Sequence, residues 1–328
     1  MNIAIVGATG LVGSTFLKVL EEKDYIKIDK LFLFASPKSE GKILMFKNKP
    51  QKVFALTKEN ILNKKIDFAL FSAGSDVSKI FAPIFKDHGA TVIDNSSAFR
   101  MEKHIPLIVP EVNADKILNK KLIANPNCST IQCMAPLKAL DREFNLKKVI
   151  FSTYQAVSGS GQKGLNDLAS NKNGEKSKFY PYQIYDNLIP HIDSFLDNGY
   201  TKEEMKMINE TKKILNKKNL KISATCVRVP ITYCHSVSIW AEFDKDVDLN
   251  KAISSFKQFK NIKVLNSTSS YPMPILAKGT DTIFVGRIRK DLFNKKAINF
   301  FVVADNIRKG AASNAIEIME YILNNKNK

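Results

Sequence analysis

The apolar positions at the start of the chain change period abruptly. Ile3-Ala4-Ile5-Val6 is a continuous β-rich run; after Gly7-Ala8-Thr9-Gly10-Leu11-Val12-Gly13, the residues Phe16, Leu17, Val19 and Leu20 recur at helical intervals. The pattern predicts a strand, a tight glycine turn and a helix. Short apolar runs return at Leu31–Ala35, Phe68–Phe71, Thr91–Asp94, Ile108–Asn113 and Leu122–Asn125, and Ile80, Phe81, Ile84 and Phe85 form one face of an intervening helix. Strands alternating with helices predict a doubly wound, mostly parallel sheet whose ligands collect at the carboxyl ends of the strands.

After about residue 127 the pattern changes. Val149–Val157 is a long β-rich run that ends in Ser158-Gly159-Ser160-Gly161, read as a flexible polar turn. Residues 170–178 are rich in Asn, Lys, Gly and Ser and read as a surface loop. Ile222–Val229 and Ser236–Phe243 alternate as strands, and further strands are expected around 283–288 and 298–304. Long strands with long connections predict an α+β second domain. Asn306–Leu323 reads as a helix with small Ala311, Ala312 and Ala315 and a face of Ile316, Met319 and Leu323, expected to pack back on the first domain. The expected division is 1–127 with 306–328 as a dinucleotide-binding domain and 128–305 as a second domain.

The glycines sit at G-x-x-G-x-x-G spacing, a variant of the dinucleotide fingerprint, where the backbone approaches a pyrophosphate and a helix N-terminus attracts its charge. A merely structural tight turn is the bland alternative. An NAD-specific site would place Asp or Glu at the end of the second strand. Here Ser36-Pro37-Lys38-Ser39 stands there, and a hydroxyl with a lysine suits the 2′-phosphate of NADP, although Glu40 is close by. Ser72-Ala73-Gly74-Ser75 ends the third strand with small residues that let a nicotinamide ribose lie near the backbone.

Length and composition narrow the class. A chain of 328 residues suggests two domains, and 44% hydrophobic with 25% charged residues is the composition of a soluble globular protein. No apolar run is long enough for a membrane span, and no export signal opens the chain, so a cytoplasmic location is expected. The cysteines at 128, 133, 226 and 234 have no metal or CxxC spacing, which favours thiols in a reducing compartment and no metal site. The net charge of +18 is spread along the whole length with no basic arm, so it predicts attraction of phosphorylated ligands rather than a nucleic-acid groove.

The chemistry concentrates on Asn125-Pro126-Asn127-Cys128-Ser129-Thr130-Ile131-Gln132. Pro126 biases Asn125 towards an extended conformation, and Ile131, Met134, Leu137 and Leu140 then follow at helical spacing. Cys128 therefore falls at a helix N-terminus, where the dipole and open amides favour a thiolate. A lone cysteine is more often a buried structural thiol, and Cys133 carries that reading. Among the histidines at 88, 104, 191 and 235, His235 stands out, because it begins the strand that follows the one carrying Arg228. Arg228 lies on the polar alternation of its strand, so the pair could supply a carboxylate clamp and a proton carrier. Thr201-Lys202-Glu203-Glu204 is a capping-box pattern, and Glu203, Lys206, Glu210 and Lys213 then form a stripe that by spacing alone reads as a solvated ion-pair face.

These segments resemble the aspartate-β-semialdehyde dehydrogenase family nearly end to end. The resemblance is carried by Gly7–Gly13, Asn95–Met101, Val109–Asn113, Asn125–Gln132, Gln155–Gly161, Ile189–Asp193, Glu203–Lys206, Cys226–Pro230, Cys234–Ser236 and Asp305–Ala312. It implies a Rossmann-type NADP-binding domain with an α+β catalytic and dimerisation domain. By the same resemblance Cys128 is the nucleophile that forms a thioester, His235 the acid/base and Gln155 a positioning group. Arg228 would pair with the substrate carboxylate and Glu203 with its amino group, while Arg100, Lys206 and Asn127 hold phosphate. Gly7, Thr9, Gly10, Leu11, Val12, Ser36, Lys38, Ser72, Ser158, Gly159 and Asn306 would line the NADP site. The implied reaction is reductive dephosphorylation of β-aspartyl phosphate to aspartate semialdehyde, for lysine, threonine and methionine synthesis, in a homodimer or homotetramer. Two positions depart from the family pattern: Ser75, where close relatives often have Gly, and Lys38, where many have Arg and which keeps the charge without the guanidinium fork. The same-fold alternative is an N-acetyl-gamma-glutamyl-phosphate reductase. A catalytically silent, cofactor-binding regulator is the alternative from another class.

Overall fold

Residues 1–117 and 119–325 are described by a computed structural model, and the chain divides into two compact units. Met1–Pro126 and the chain from Ala311 onward form the first unit; Asn127–Gly310 forms the second. The return to the first unit thus falls at Ala311 rather than at 306, and Asn127 belongs to the second unit. The shift has a local cause, because Asn306 bonds Ser158 and Cys234, and Gly310 N–H donates to Asp305 O, all within the second unit.

The first unit is built on β1 (Asn2–Val6), β2 (Lys30–Ala35), β3 (Ile43–Phe46), β4 (Lys49–Ala55), β5 (Phe68–Phe71), β6 (Thr91–Asp94) and β7 (Leu122–Ala124). Its sheet runs β3-β4-β2-β1-β5-β6-β7 and is parallel except for the β3–β4 hairpin. The strands read as continuous apolar runs because both faces are covered. Ile3 and Ile5 join one core with Phe16 and Leu20 of α1 (Leu11–Glu22) and with Ile316 and Met319 of the C-terminal helix. Ala4 and Val6 face the other way, towards a core that contains Phe34, Phe71 and Phe85. The short α2 (Lys58–Leu62) precedes β5, and α3 (Ser75–Asp87) supplies Ala82 and Phe85 to that second core.

Three expected elements come out differently here and further along. Ile108–Asn113 is not a strand. Pro110 opens a short helix, α4 (Pro110–Asn113), and the Asn113 side chain accepts the Val109 N–H and donates to Leu107 O, which folds the segment back on itself. The C-terminal helix proper is Ser313–Asn325, preceded by a wide π turn at Arg308–Ala312, so it does not start at Asn306. Ser158–Gly161 is not a flexible turn either. Val157–Ser160 forms a 3-10 turn with Val157 and Ser158 buried, and α6 (Gly161–Lys172) begins directly after it and takes in the start of the expected loop.

The second unit opens with α5 (Cys128–Phe144) and carries β8 (Leu146–Gln155), α6, α7 (Lys202–Leu215), β9 (Lys221–Arg228), β10 (His235–Phe243), α8 (Leu249–Lys257), β11 (Ile262–Leu265), β12 (Ile283–Lys290) and β13 (Ala297–Ala304). Its mixed sheet runs β11-β12-β13-β10-β8-β9. Helices α5, α7 and α8 pack together, with α7 on β9 and α5 on β10, and Phe144 meets Phe243 edge to face at 5.7 Å. The other sheet face leaves Ile150 and Tyr154 about half exposed. Register brings Gln155 opposite Arg228 across β8 and β9, and His235 starts β10 opposite Ala304.

Candidate active site

In the first unit the site is made of backbone. The chain leaves β1 at Gly7, whose φ of +84° suits glycine, and a Cβ there would lie 2.3 Å from Ser72 O. A Cβ on Gly13 would lie 2.1 Å from Gly7 O, so α1 can approach the loop this closely only without a side chain. Gly10 caps α1 with no side-chain acceptor, which leaves the first amides of the helix to an incoming anion. A concavity of about 370 Å³ opens beside it, lined by Gly7, Thr9, Gly10, Ala35, Ser36 and Ser72 together with Pro37, Leu56, Ala73, Val77 and Phe81. Among the described residues no carboxylate lines it. Leu11, Val12 and Lys38 do not line it, and Lys38 is exposed beyond the end of β2. The glycine cradle and the apolar walls fit a dinucleotide. Phe81 and Leu56 were not foreseen in this role: Phe81 follows ordinary helical periodicity, and Leu56 follows a strand that was itself not predicted.

Arg100 belongs to the same unit but not to that concavity. It is buried, and donates through Nε to Asn125 O at 3.0 Å and through Nη2 to Asn95 O at 2.6 Å, carbonyls that follow β7 and β6.

In the second unit the site is made of side chains. Asn127 caps α5 by accepting the Ser129 N–H at 2.9 Å, so Cys128 is the first helical residue and remains partly accessible. Its Sγ lies 3.1 Å from His235 Nε2. His235 is fully buried, and its Nδ1 accepts the Ala156 N–H at 3.0 Å. That backbone donor puts the proton of the neutral ring on Nε2, facing the sulfur. Burial drives the imidazole well below its ordinary value of 6.5, and the Arg228 guanidinium pushes it the same way. Gly310 backs the nucleophile closely, since a Cβ there would lie 3.1 Å from the Cys128 Cβ.

Arg228 is 5% exposed and shares its strand face with Cys226 and Ala224, which is the buried face and not a polar one. Its Nη1 donates to Ala156 O at 2.7 Å. Its Nε is buried and has no hydrogen-bond partner among the described residues. Gly159 sits against both groups, for a Cβ on it would lie 3.0 Å from Arg228 Nη1 and 3.1 Å from His235 Cε1.

The expected solvated stripe on α7 is not solvated at Glu203 or Glu210, which are 5% and 1% exposed. Glu203 Oε1 accepts from Asn127 Nδ2 at 3.0 Å and from Gln155 Nε2 at 3.1 Å, and Oε2 meets Lys206 Nζ at 3.2 Å. Burial would raise its pKa, but Lys206, those two amides and Arg228 hold it below the ordinary glutamate value. Lys206 also meets Asp193 at 2.7 Å; against the lowering effect of burial, the two carboxylates keep its pKa above the usual lysine value.

Asn306 and Ser158 are both buried and bonded to each other, and Asn306 Oδ1 accepts the Cys234 N–H at 2.9 Å. That contact fixes Cys234, which has a left-handed φ of +75°, directly before His235. The remaining cysteines are buried: burial pushes the thiols of Cys133 and Cys226 up, and that of Cys234 up to about 12. Among the described residues no group of three His, Cys, Asp or Glu side chains could hold a metal ion. In sum, the second unit gathers Cys128, His235, Gln155, Arg228, Glu203, Lys206 and Asn127, with Gly159, Ser158 and Asn306 around them. The first gathers Gly7, Thr9, Gly10, Ser36 and Ser72.

A dinucleotide-type unit followed by one that sets a cysteine against a buried histidine and arginine defines a nicotinamide-dependent aldehyde dehydrogenase. Residues 2–120 match the family model described as semialdehyde dehydrogenase, NAD binding domain, and residues 137–309 match the semialdehyde dehydrogenase dimerisation domain. The chain belongs to the aspartate-semialdehyde dehydrogenase family. It is 50% identical to the aspartate-semialdehyde dehydrogenase of Aquifex aeolicus over 98% of each chain. It is 47% identical to that of Campylobacter jejuni, covering 100% of this chain and 98% of the relative. The crystal structure of aspartate semialdehyde dehydrogenase II from Vibrio cholerae, complexed with ASA, superposes with a TM-score of 0.94 at 41% identity, covering 99% of this chain and 98% of that one. The Candida albicans enzyme, solved with NADP, has a TM-score of 0.79 at 27% identity over 100% and 99%. The resemblance drawn from the motifs holds along the whole length, and these relatives favour the semialdehyde enzyme over the acetylglutamyl-phosphate reductase.

Proposed function

We propose that this chain carries out the NADP-dependent, phosphorylating interconversion of β-aspartyl phosphate and aspartate semialdehyde, with Cys128 as nucleophile. The observation that carries the reading is the 3.1 Å approach of Cys128 Sγ to His235 Nε2 at the start of α5. In the biosynthetic direction the Cys128 thiolate attacks the acyl carbon, phosphate leaves with the electrons of the broken C–O bond, and a thioester is left on Cys128. NADPH, when bound at the glycine loop, supplies the hydride that reduces this acyl carbon. His235 lends its Nε2 proton to the oxygen of the tetrahedral thiohemiacetal and takes it back as the C–S bond breaks, which frees the aldehyde and returns the Cys128 thiolate.

The unpaired Arg228 Nε suits a substrate carboxylate, since a buried guanidinium N–H is costly unless an anion takes it. Glu203 suits the substrate amino group, with Gln155 held beside it. Lys206 and Asn127 suit phosphate in the second unit, and the Arg100 guanidinium suits phosphate in the first. NADP rather than NAD is assigned from the concavity without a carboxylate and from Ser36 and Lys38 at the end of β2; the Candida albicans relative was solved with that cofactor. Ser158 and Asn306 are kept as cofactor-side residues, acting through the turn they brace. The half-exposed Ile150 and Tyr154 support a homodimer through the open sheet face, with a tetramer as the further possibility. Cysteines held as thiols suit a cytoplasmic location.

Aspartate semialdehyde, phosphate and NADP or NAD, assayed in parallel, test the reading. Turnover should require phosphate, prefer NADP and vanish in Cys128→Ala. Phosphate-independent turnover, or activity retained by the variant, would overturn it.

A further inference from the structure

Asn127 is the residue that turns the chain into α5, and each of its polar atoms already makes a hydrogen bond, which leaves one Nδ2 hydrogen for a ligand. Its side-chain oxygen takes the Ser129 N–H, and its carbonyl takes the N–H groups of Thr130 and Ile131, each at 3.0 Å. Two of its N–H groups end on α7: one from Nδ2 on Glu203 Oε1, and the backbone N–H on Glu210 Oε2 at 2.7 Å. The second contact is unusual in origin. In a capping box the N–H of the cap residue is taken by a Glu or Gln three positions on, within the same helix. Here that position is Thr130, whose Oγ1 has no hydrogen-bond partner among the described residues. The acceptor that α5 lacks comes from another helix. Glu210 is 1% exposed, and burying a carboxylate is costly unless donors hold it.

We propose that Glu210 is a positioning residue for the nucleophile: by holding the Asn127 peptide it fixes where the first residue of α5 presents its sulfur to His235. The inference rests on the reading of Cys128 as the reacting thiol. A displacement of about 1 Å at a reacting group can cost on the order of 10²-fold in rate. The role depends on the reach of the acceptor oxygen that takes the Asn127 N–H. Glu210→Gln keeps an oxygen at the same distance, whereas Glu210→Asp keeps the charge and withdraws the oxygen by one methylene.

The test compares both variants with the wild-type chain in steady-state kinetics and in the pH profile of Cys128 alkylation by iodoacetamide. Alkylation needs neither substrate nor cofactor, so it reports on the thiol even if the proposed reaction is wrong. The expected result is that Glu210→Gln stays within about threefold in kcat with an unaltered alkylation profile. Glu210→Asp loses roughly 10- to 100-fold in kcat, with KM values within about threefold and a shifted profile. Any other order overturns the assignment, including a wild-type Glu210→Asp, equal losses in both variants, or a loss confined to KM. Hydrogen exchange of the Asn127 amide in the wild-type chain is the second measurement: strong protection is expected, and exchange at the rate of an open amide overturns the proposal even if Glu210→Asp does not fold.

Discussion

The two units hold their chemistry by opposite means. In the nucleotide unit the cradle is peptide backbone, and its requirement is the absence of side chains at Gly7 and Gly13, where a Cβ would lie 2.3 and 2.1 Å from carbonyl oxygens. In the second unit the site is a set of largely buried polar side chains from α5, α7, β8, β9 and β10, most of them held by another side chain and Arg228 by the Ala156 carbonyl. A site made of backbone tolerates substitution of the residues around it but not in it. A site made of interlocked side chains spreads the effect of each substitution to its neighbours.

That contrast can be broken or sharpened by substitution. The largest effect after loss of the nucleophile is expected at His235. His235→Asn should lower kcat on the order of 10²–10⁴-fold, and a loss below tenfold in steady-state kinetics would remove it from the proton-transfer role. Gly7→Ala comes next. It places a Cβ against Ser72 O at a positive φ, so NADP affinity by fluorescence titration should fall roughly 10²-fold and the melting temperature should drop. Alkylation of Cys128 should be unchanged in that variant; a changed rate would show that the two units do not fail separately. Arg228→Lys replaces a fork with a point charge and should raise KM for the semialdehyde by about tenfold, with a smaller change in kcat.

The smallest effect is on stability against pH. His235 is held neutral in the fold, well below the ordinary value of 6.5. Between its folded pKa and about 6.5 the unfolded chain binds a proton that the folded chain refuses, so stability falls as pH drops through that window. Melting temperatures measured from pH 7.5 down to about 5 should fall less steeply in His235→Asn than in the wild type; parallel curves would contradict the burial argument.

The same contrast decides what could be read in advance. Strands covered on both faces announce themselves as unbroken apolar runs, and a backbone cradle announces itself by the glycines it requires, so β1, β5, β6 and the Gly7–Gly13 loop were legible. The β3–β4 hairpin was not. Its residues are lysine-rich, and its turn uses Lys47 and Asn48 with φ of +48° and +60° in place of a glycine. In the second unit, Glu203 and Glu210 keep a spacing that serves a solvated face or a buried one equally well, and only packing against α5 distinguishes the two. Arg228 was recognised as a residue but placed on the wrong face, because a strand whose buried side carries a guanidinium looks inverted. Asn306 was matched to the cofactor through the family pattern, and its bond to the Cys234 N–H has no local sequence signal.

The first unit also carries a schedule. Its core joins Ile3, Ile5, Phe16 and Leu20 to Ala312, Ala315, Ile316 and Met319, residues separated by the entire second unit. A chain emerging amino end first can pair β1 with β2 and β5 early, yet one side of that sheet stays open until the C-terminal helix has been made. Nascent chains halted before residue 311 should therefore expose that apolar face and engage holdase chaperones, whereas the second unit, contiguous from Asn127 to Gly310, can close beforehand.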